Sequence, residues 1–119
     1  MAMHRAGVKL LAATDSLGWY VVPGFSLHDE LELFVTAGLT PMEALQTATR
    51  NPAIYSGLID MVGTVEIGKK ADLVLLEANP LENISNTKRI TAVIVNGRLI
   101  PKVSLDKMLT DAEAAANKN

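Results

Sequence analysis

Residues 91–100 have the sequence TAVIVNGRLI, and this stretch decides the fold of the second half of the chain. A run rich in β-branched residues leads into Asn96-Gly97, the dipeptide most typical of a two-residue hairpin turn. Residues 72–77, DLVLLE, are apolar at all four inner positions, which favours a strand covered on both faces. Together these patterns predict one sheet, with strands at 64–67, 72–77, 91–96 and 98–100.

Two helices are expected before this sheet. Ser26 followed by Asp29 has the pattern of a capped N-terminus, and predicts a helix over residues 26–37. The sequence of residues 40–43, TPME, is a stronger signal. It combines a threonine cap, a proline at the first helical position and a glutamate at the third, and predicts a helix over residues 41–50.

Residues 8–14, VKLLAAT, are apolar at nearly every position and predict a strand buried on both faces, as in parallel sheets. Parallel neighbours need long crossover connections, and the residues before position 8 are too few to provide one. The predicted class is α+β, with helices packed on a mixed sheet. Strand 8–14 either joins that sheet or pairs across an oligomer.

Composition excludes several classes of protein. The chain has 119 residues, enough for one domain but far fewer than the roughly 250 of a complete (β/α)₈ barrel. It has no cysteine, so cysteine-based zinc sites, disulfides and thiol nucleophiles are absent. A net charge of −2 argues against a nucleic-acid partner, and no apolar run approaches the roughly 20 residues of a membrane span.

Hydropathy and the N-terminal sequence support two further expectations. Hydrophobic residues make up 49% of the chain, and the mean hydropathy of +0.22 is high for a small domain. We therefore expect apolar surface that meets more chain or another subunit. The first residues, MAMHR, lack the apolar region of a signal peptide, which predicts a cytoplasmic protein.

Asp15 is the leading candidate for chemistry. It follows the predicted strand 8–14, and a carboxylate at the carboxyl end of a parallel strand occupies the position where α/β barrels hold catalytic groups. The alternative is that Asp15 caps the following turn. A zinc site formed by Asp15, His28 and Asp29 is disfavoured, because adjacent residues on a helix point about 100° apart.

The loop that follows Asp15 supplies the remaining candidates. It contains two aromatic residues and a proline–glycine pair, and the next helix begins close to a histidine. The candidate substrate-loop residues are Trp19, Tyr20, Pro23, Gly24 and His28.

Six motifs follow one another along the chain. They are ATD at 13–15, HDELEL at 28–33, AGLTPMEAL at 37–45, ATRNPA at 48–53, GTVEIGKKADLV at 63–74 and AVIVNG at 92–97. In this order they resemble the C-terminal portion of the metal-dependent amidohydrolase superfamily. The nearest branch is the imidazolonepropionase-like and Xaa-Pro dipeptidase-like one.

The resemblance implies an architecture. Members of that superfamily are (β/α)₈ barrels with a small β-sandwich built from both chain ends. Residues 1–60 would supply the last strand and helices of an incomplete barrel. Residues 61–103 would form the C-terminal half of the sandwich. Outside the resemblance, Ser104 as a cap and an apolar face with Leu105, Met108 and Leu109 predict a C-terminal helix with a frayed tail over residues 104–119.

The resemblance also implies a reaction, the metal-assisted hydrolysis of a C–N bond in a small amide or dipeptide. Asp15 would ligate a divalent metal, zinc first among them, and accept the proton of the attacking water. Ala13 stands where the family usually has glycine. The family's other metal ligands, mostly histidines, lie on strands that this chain lacks. Since one carboxylate cannot hold a catalytic zinc, we expect the isolated chain to be inactive and to bind no metal alone.

Three arrangements remain open from the sequence. A complementing chain could supply the missing strands, or the chain could be a non-catalytic remnant that forms a homo-oligomer through its unpaired strand edges. The third is a small-molecule binding module that uses the loop with Trp19, Tyr20 and Pro23.

Overall fold

The computed structural model describes residues 2–16 and 21–117. Its elements are helices α1 (Ala2–Arg5), α2 (Ser26–Thr36), α3 (Pro41–Ala48) and α4 (Arg50–Tyr55), strand β1 (Leu73–Leu76), a 3-10 helix (Ile84–Lys88), strands β2 (Ile90–Val95) and β3 (Arg98–Pro101), and helix α5 (Lys102–Ala116). Helices and a small separate sheet make an α+β arrangement, as predicted. Within the described residues, no helix is long and apolar enough to cross a membrane.

The sheet has the order β1-β2-β3, and both of its pairings are antiparallel. The prediction of a mixed sheet is therefore wrong for the described residues. The hairpin between β2 and β3 is confirmed, with Val95 opposite Arg98. Asn96 and Gly97 have φ values of 49° and 79°, the left-handed conformations that a type I′ turn requires at both central positions.

Two hydrogen bonds connect this turn to the residues just before β1. The backbone N–H of Asn96 donates to the Asp72 carboxylate at 2.6 Å, and the N–H of Gly97 donates to the carbonyl of Ala71 at 3.0 Å. Both bonds reach back across about 25 residues. They join the hairpin tip to the chain that enters the neighbouring strand.

Two predicted strands do not form. Residues 64–67 lie between Gly63 and Gly68, which have φ values of 95° and 92° and turn the chain at both ends. Residues 8–14 have no regular secondary structure, and the described residues offer them no strand as a neighbour. A strand exists only where a second chain segment takes up its N–H and C=O groups, so the apolar pattern alone could not produce one.

The helix starts were predicted with mixed success. Both hydrogen bonds of the Thr40–Glu43 capping box are present, so that start is confirmed. Ser26 is the first residue of α2 instead of its cap, and its hydroxyl accepts a hydrogen bond from the N–H of Val22. Residue 25 takes the cap position and makes no capping bond.

The predicted helix 41–50 divides at Thr49 into α3 and α4, because that residue has non-helical backbone angles. The C-terminal helix begins at Lys102, two residues before residue 104, where the predicted helix starts.

The buried core joins the helical part of the chain to the part that carries the sheet. Leu31 of α2, Ala44 of α3 and Ile84 of the 3-10 helix form one buried cluster. Four partly buried residues pack around it: Phe34, Val35, Leu45 and Ala48. This cluster fixes the position of α2 and α3, the helices that support the candidate site.

The surface is larger than a compact chain of this mass would have. Its accessible area is 8643 Å², whereas about 6,200 Å² is typical of a compact monomer of 12.7 kDa. The radius of gyration is 15.7 Å against about 13.5 Å expected. Large apolar side chains contribute to the excess, including Leu33, Tyr55, Val65, Ile67 and Val103. This agrees with the apolar surplus seen in the composition.

The carboxylate of Asp72 should stabilise the hairpin through its bond to Asn96. Asp72→Ala should lower the free energy of unfolding by about 1 kcal/mol, because a charge-assisted hydrogen bond is lost. Urea denaturation would measure the change. Asp106→Ala, which removes an exposed carboxylate paired with Lys102 within α5, is the control and should cost less than about 0.5 kcal/mol. Equal losses in the two variants would contradict this role of Asp72.

Candidate functional site

The candidate site is built on residues 8–15, which we call the Asp15 segment. The carbonyl of Leu10 accepts a hydrogen bond from Nδ2 of Asn51 at 2.9 Å. Two residues on, the N–H of Ala12 donates to the carbonyl of Thr47 at 2.9 Å. The segment is thus held against the junction of α3 and α4 by two bonds that span 41 and 35 residues of sequence.

The break between α3 and α4 explains why these two partners are available. In a continuous helix the carbonyl of Thr47 would accept from the N–H of Asn51. The non-helical angles of Thr49, φ −127° and ψ −81°, end α3 and free that carbonyl for Ala12. The side chain of Asn51, on the first turn of α4 and buried, then reaches Leu10.

A third bond holds the segment nearer to its end. The N–H of Ala13 donates to Oε1 of Glu30 on α2, at 3.1 Å. The other carboxylate oxygen of Glu30, Oε2, is buried and has no hydrogen-bond partner among the described residues. The Asp15 segment is therefore bound on one side by α3 and α4 and on the other by α2.

Asp15 ends the segment with an unusual backbone conformation. Its φ is +47°, and among the described non-glycine residues only Asp15 and Asn96 have positive φ. Aspartate and asparagine tolerate this region better than most residues. The Asp15 side chain is exposed to solvent. Asp15 was predicted to occupy the carboxyl end of a buried strand, and that strand is not formed.

The substrate-loop candidates are placed as follows. Pro23 and Gly24 are exposed in a turn in which the carbonyl of Val22 accepts from the N–H groups of Phe25 and Ser26. Gly24 has a φ of +82°, which suits the position after proline in a type II turn. Trp19 and Tyr20 lie outside the described residues.

His28 lies in the first turn of α2 and is partly buried, with an Nδ1 atom that has no hydrogen-bond partner in the described part of the chain. Burial lowers the pKa of His28, and the charge of Lys88 lowers it further, while Asp29 and Glu32 act in the opposite direction. The ring is therefore held in its neutral form to a lower pH than usual.

A metal needs more ligands than these residues offer. Within residues 2–16 and 21–117, no three histidine, aspartate or glutamate side chains come together as a metal site would require. The structure does not assemble Asp15, His28 and Asp29 into a site. The described residues therefore do not fit a complete zinc centre, and Asp15 could serve only as one ligand among several.

Sequence reasoning missed several residues that connect the elements around the site. Lys88 lies outside the six motifs, and its ammonium joins the 3-10 helix to α2 by binding both Asp29 and Glu32, each at 2.8 Å. These two hydrogen bonds raise the pKa of Lys88. Asn51 and Glu30 were also overlooked, and both lie inside motifs that had been quoted only for the family resemblance.

The shift of His28 predicts a dependence of stability on pH. The unfolded chain has the ordinary histidine pKa of 6.5 and the folded chain a lower one, so the unfolded state binds more protons as the pH falls below that value. Stability should therefore be lost as the pH drops from 6.5 towards the folded-state pKa. Urea midpoints at pH 7.5 and 5.5 would measure this loss.

His28→Gln should reduce that loss of stability, because it removes the group whose pKa differs between the folded and unfolded chain. If H28Q unfolds with the same pH dependence as the unmodified chain, His28 is not the source of the effect.

Comparison with known proteins gives consistent results. Residues 1–100 match the sequence profile described as the Amidohydrolase family. Ochratoxinase from Aspergillus niger is 35% identical over 100 residues, which are 80% of this chain and 20% of that protein. Imidazolonepropionase from Rubrobacter xylanophilus is 33% identical over 108 residues, covering 84% of this chain and 25% of that protein.

Solved structures agree. The structure of a Xaa-Pro dipeptidase with bound methionine in its active site superimposes with a TM-score of 0.75 and 32% identity. The match covers 84% of this chain and 24% of that one, so the chain spans about a quarter or less of these relatives. The resemblance predicted from the six motifs is confirmed, and the chain belongs to the amidohydrolase family.

Proposed function

We propose that this chain is part of a metal-dependent hydrolase that cleaves the C–N bond of a small amide or dipeptide-like substrate. The amidohydrolase family is generally metal-dependent. The name Xaa-Pro dipeptidase, carried by one structural relative, states a dipeptide substrate and supports this class. The observation that carries the proposal is the match of residues 1–100 to the family. The exposed Asp15, at the end of a segment held by hydrogen bonds, agrees with it.

In this proposal Asp15 is the residue of the chain that takes part in the reaction. Asp15 is exposed to solvent, so an attacking water can come within hydrogen-bond reach of its carboxylate. The hydrogen bonds with Asn51, Thr47 and Glu30 restrict the movement of the Asp15 segment, which carries this carboxylate. Restricting a reacting group in this way removes part of the entropic cost of the reaction.

The remaining ligands of the metal come, in this proposal, from chain beyond the described residues. Residues 1–60 then complete the barrel, residues 61–103 contribute half of the β-sandwich and residues 104–119 form a tail. The buried contact of Leu31 and Ala44 with Ile84 supports a fixed relation between the first two of these parts. Zinc is the metal we propose first, and the cytoplasm the compartment.

A chimera tests the role of Asp15. Residues 1–100 would replace the matching quarter of the Xaa-Pro dipeptidase, so that the other metal ligands are present. We expect this chimera to hydrolyse Xaa-Pro dipeptides. In it, Asp15→Asn should lower kcat by about 100-fold or more, because general-base catalysis typically contributes that much. Steady-state kinetics and the metal content of each variant are the measurements.

Asp29→Asn makes the same chemical change at an exposed aspartate of α2, and should change kcat only slightly. The proposed role of Asp15 is wrong if a folded, metal-loaded chimera with D15N keeps the activity of the unmodified chimera.

A second candidate, self-association of the chain alone, is favoured by its large surface. About 2,400 Å² more is exposed than a compact monomer of this mass would show, and permanent interfaces bury about 2,000–5,000 Å² in total. We propose that, without the completing chain, copies of this chain form a homo-oligomer that lacks catalytic activity.

Sedimentation equilibrium of the purified chain at tens of micromolar should therefore show a dimer or a larger species, with little bound zinc and no hydrolysis. The matched measurement is the same chain mixed with the rest of a relative's barrel, where association between copies should decrease. A strict monomer at that concentration contradicts the proposal of self-association, and one zinc per chain contradicts the proposal of an incomplete site.

A further inference from the structure

Of the hydrogen bonds that hold the Asp15 segment, the one to Glu30 lies closest to Asp15 in sequence. Oε1 of Glu30 accepts a hydrogen bond from the N–H of Ala13, two residues before Asp15, and the bond spans 17 residues of sequence. In an extended chain two residues cover about 7 Å. Within the described part of the chain, neither Thr14 nor Asp15 makes a backbone hydrogen bond, so the contact with Glu30 is the last restraint before the candidate catalytic group.

The surroundings of Glu30 are unfavourable for a purely structural residue. Its Oε2 is buried with no donor in the described residues, and a buried carboxylate oxygen without a donor disfavours the folded state. The N–H of Ala13 belongs to an exposed residue and could bond to water instead. A stretch of α2 that served packing alone would be better occupied here by leucine or methionine. Residues that are unfavourable for packing and hydrogen bonding are expected mainly at functional positions.

We propose that Glu30 is a positioning residue for Asp15. By fixing the chain at Ala13, the carboxylate of Glu30 holds the end of the Asp15 segment in the direction set by Asn51 and Thr47. It thereby limits the range of orientations that the Asp15 carboxylate can adopt. This inference deepens the proposed function, on which it rests for the catalytic role of Asp15.

The direct test is amide hydrogen exchange of the full chain, followed residue by residue by NMR. In Glu30→Leu, the Ala13 amide should exchange about tenfold faster, because its acceptor is removed and the end of the segment opens locally. The resonances of the Thr14 and Asp15 amides should shift as well. Glu30→Gln retains an acceptor oxygen at the same reach, so the Ala13 exchange rate should stay near that of the unmodified chain.

Two further variants separate positioning from general stability. Glu30→Asp keeps the charge but is shorter by one methylene group, so it should behave like E30L if reach to Ala13 is what matters. Glu32→Leu, two residues further along α2, removes a carboxylate that binds Lys88 instead of the segment. It should leave the exchange of Ala13 unchanged. The urea midpoint of E30L should not fall, because a buried unpaired oxygen is removed together with the bond.

In the chimera described above, E30L and E30D should lower kcat with little change in KM, and E30Q should restore kcat. Unchanged Ala13 exchange in both E30L and E30D would overturn the positioning role, whatever the activity. So would full kcat in E30L when D15N is inactive. If D15N is fully active, the proposed function fails, and the exchange data still decide whether Glu30 orients the segment.

Discussion

The buried contact among Leu31, Ala44 and Ile84 determines where the other parts of the described chain lie. It brings α2 and α3 together and attaches both to the 3-10 helix that precedes β2. Lys88, on the same 3-10 helix, adds two ion pairs to α2. Without the contact among Leu31, Ala44 and Ile84, α2 and α3 would not keep their relative position. The Asp15 segment would then no longer be held by α2 on one side and by α3 and α4 on the other.

The Asp15 segment shows how a chain without regular secondary structure is held in place without a sheet. Three hydrogen bonds, to the side chains of Asn51 and Glu30 and to the carbonyl of Thr47, replace part of a strand ladder. The acceptor at Thr47 exists because the helix breaks two residues later. A local irregularity in one helix pair therefore determines the position of a residue more than 30 positions earlier.

Family membership accounts for the unusual balance of core and surface. The chain buries few large apolar side chains and exposes many, and it spans a quarter or less of the three relatives described above. Side chains such as Val8 and Leu11 of the Asp15 segment are exposed here, although their pattern is that of a buried strand. Such a pattern is expected where neighbouring strands belong to a larger fold, because buried parallel strands are covered on both faces.

The sequence by itself determined the family, the Asn96-Gly97 hairpin, the capping box of Thr40 and the place of Asp15 after an apolar run. Each of these depends on residues close together in sequence, where conformational preferences act directly. Only the tertiary structure decided that residues 8–14 and 64–67 form no strand, that Glu30 and Asn51 hold the Asp15 segment, and that Lys88 joins the 3-10 helix to α2. Those outcomes depend on hydrogen bonds and ion pairs between distant residues, whose partners no local pattern specifies.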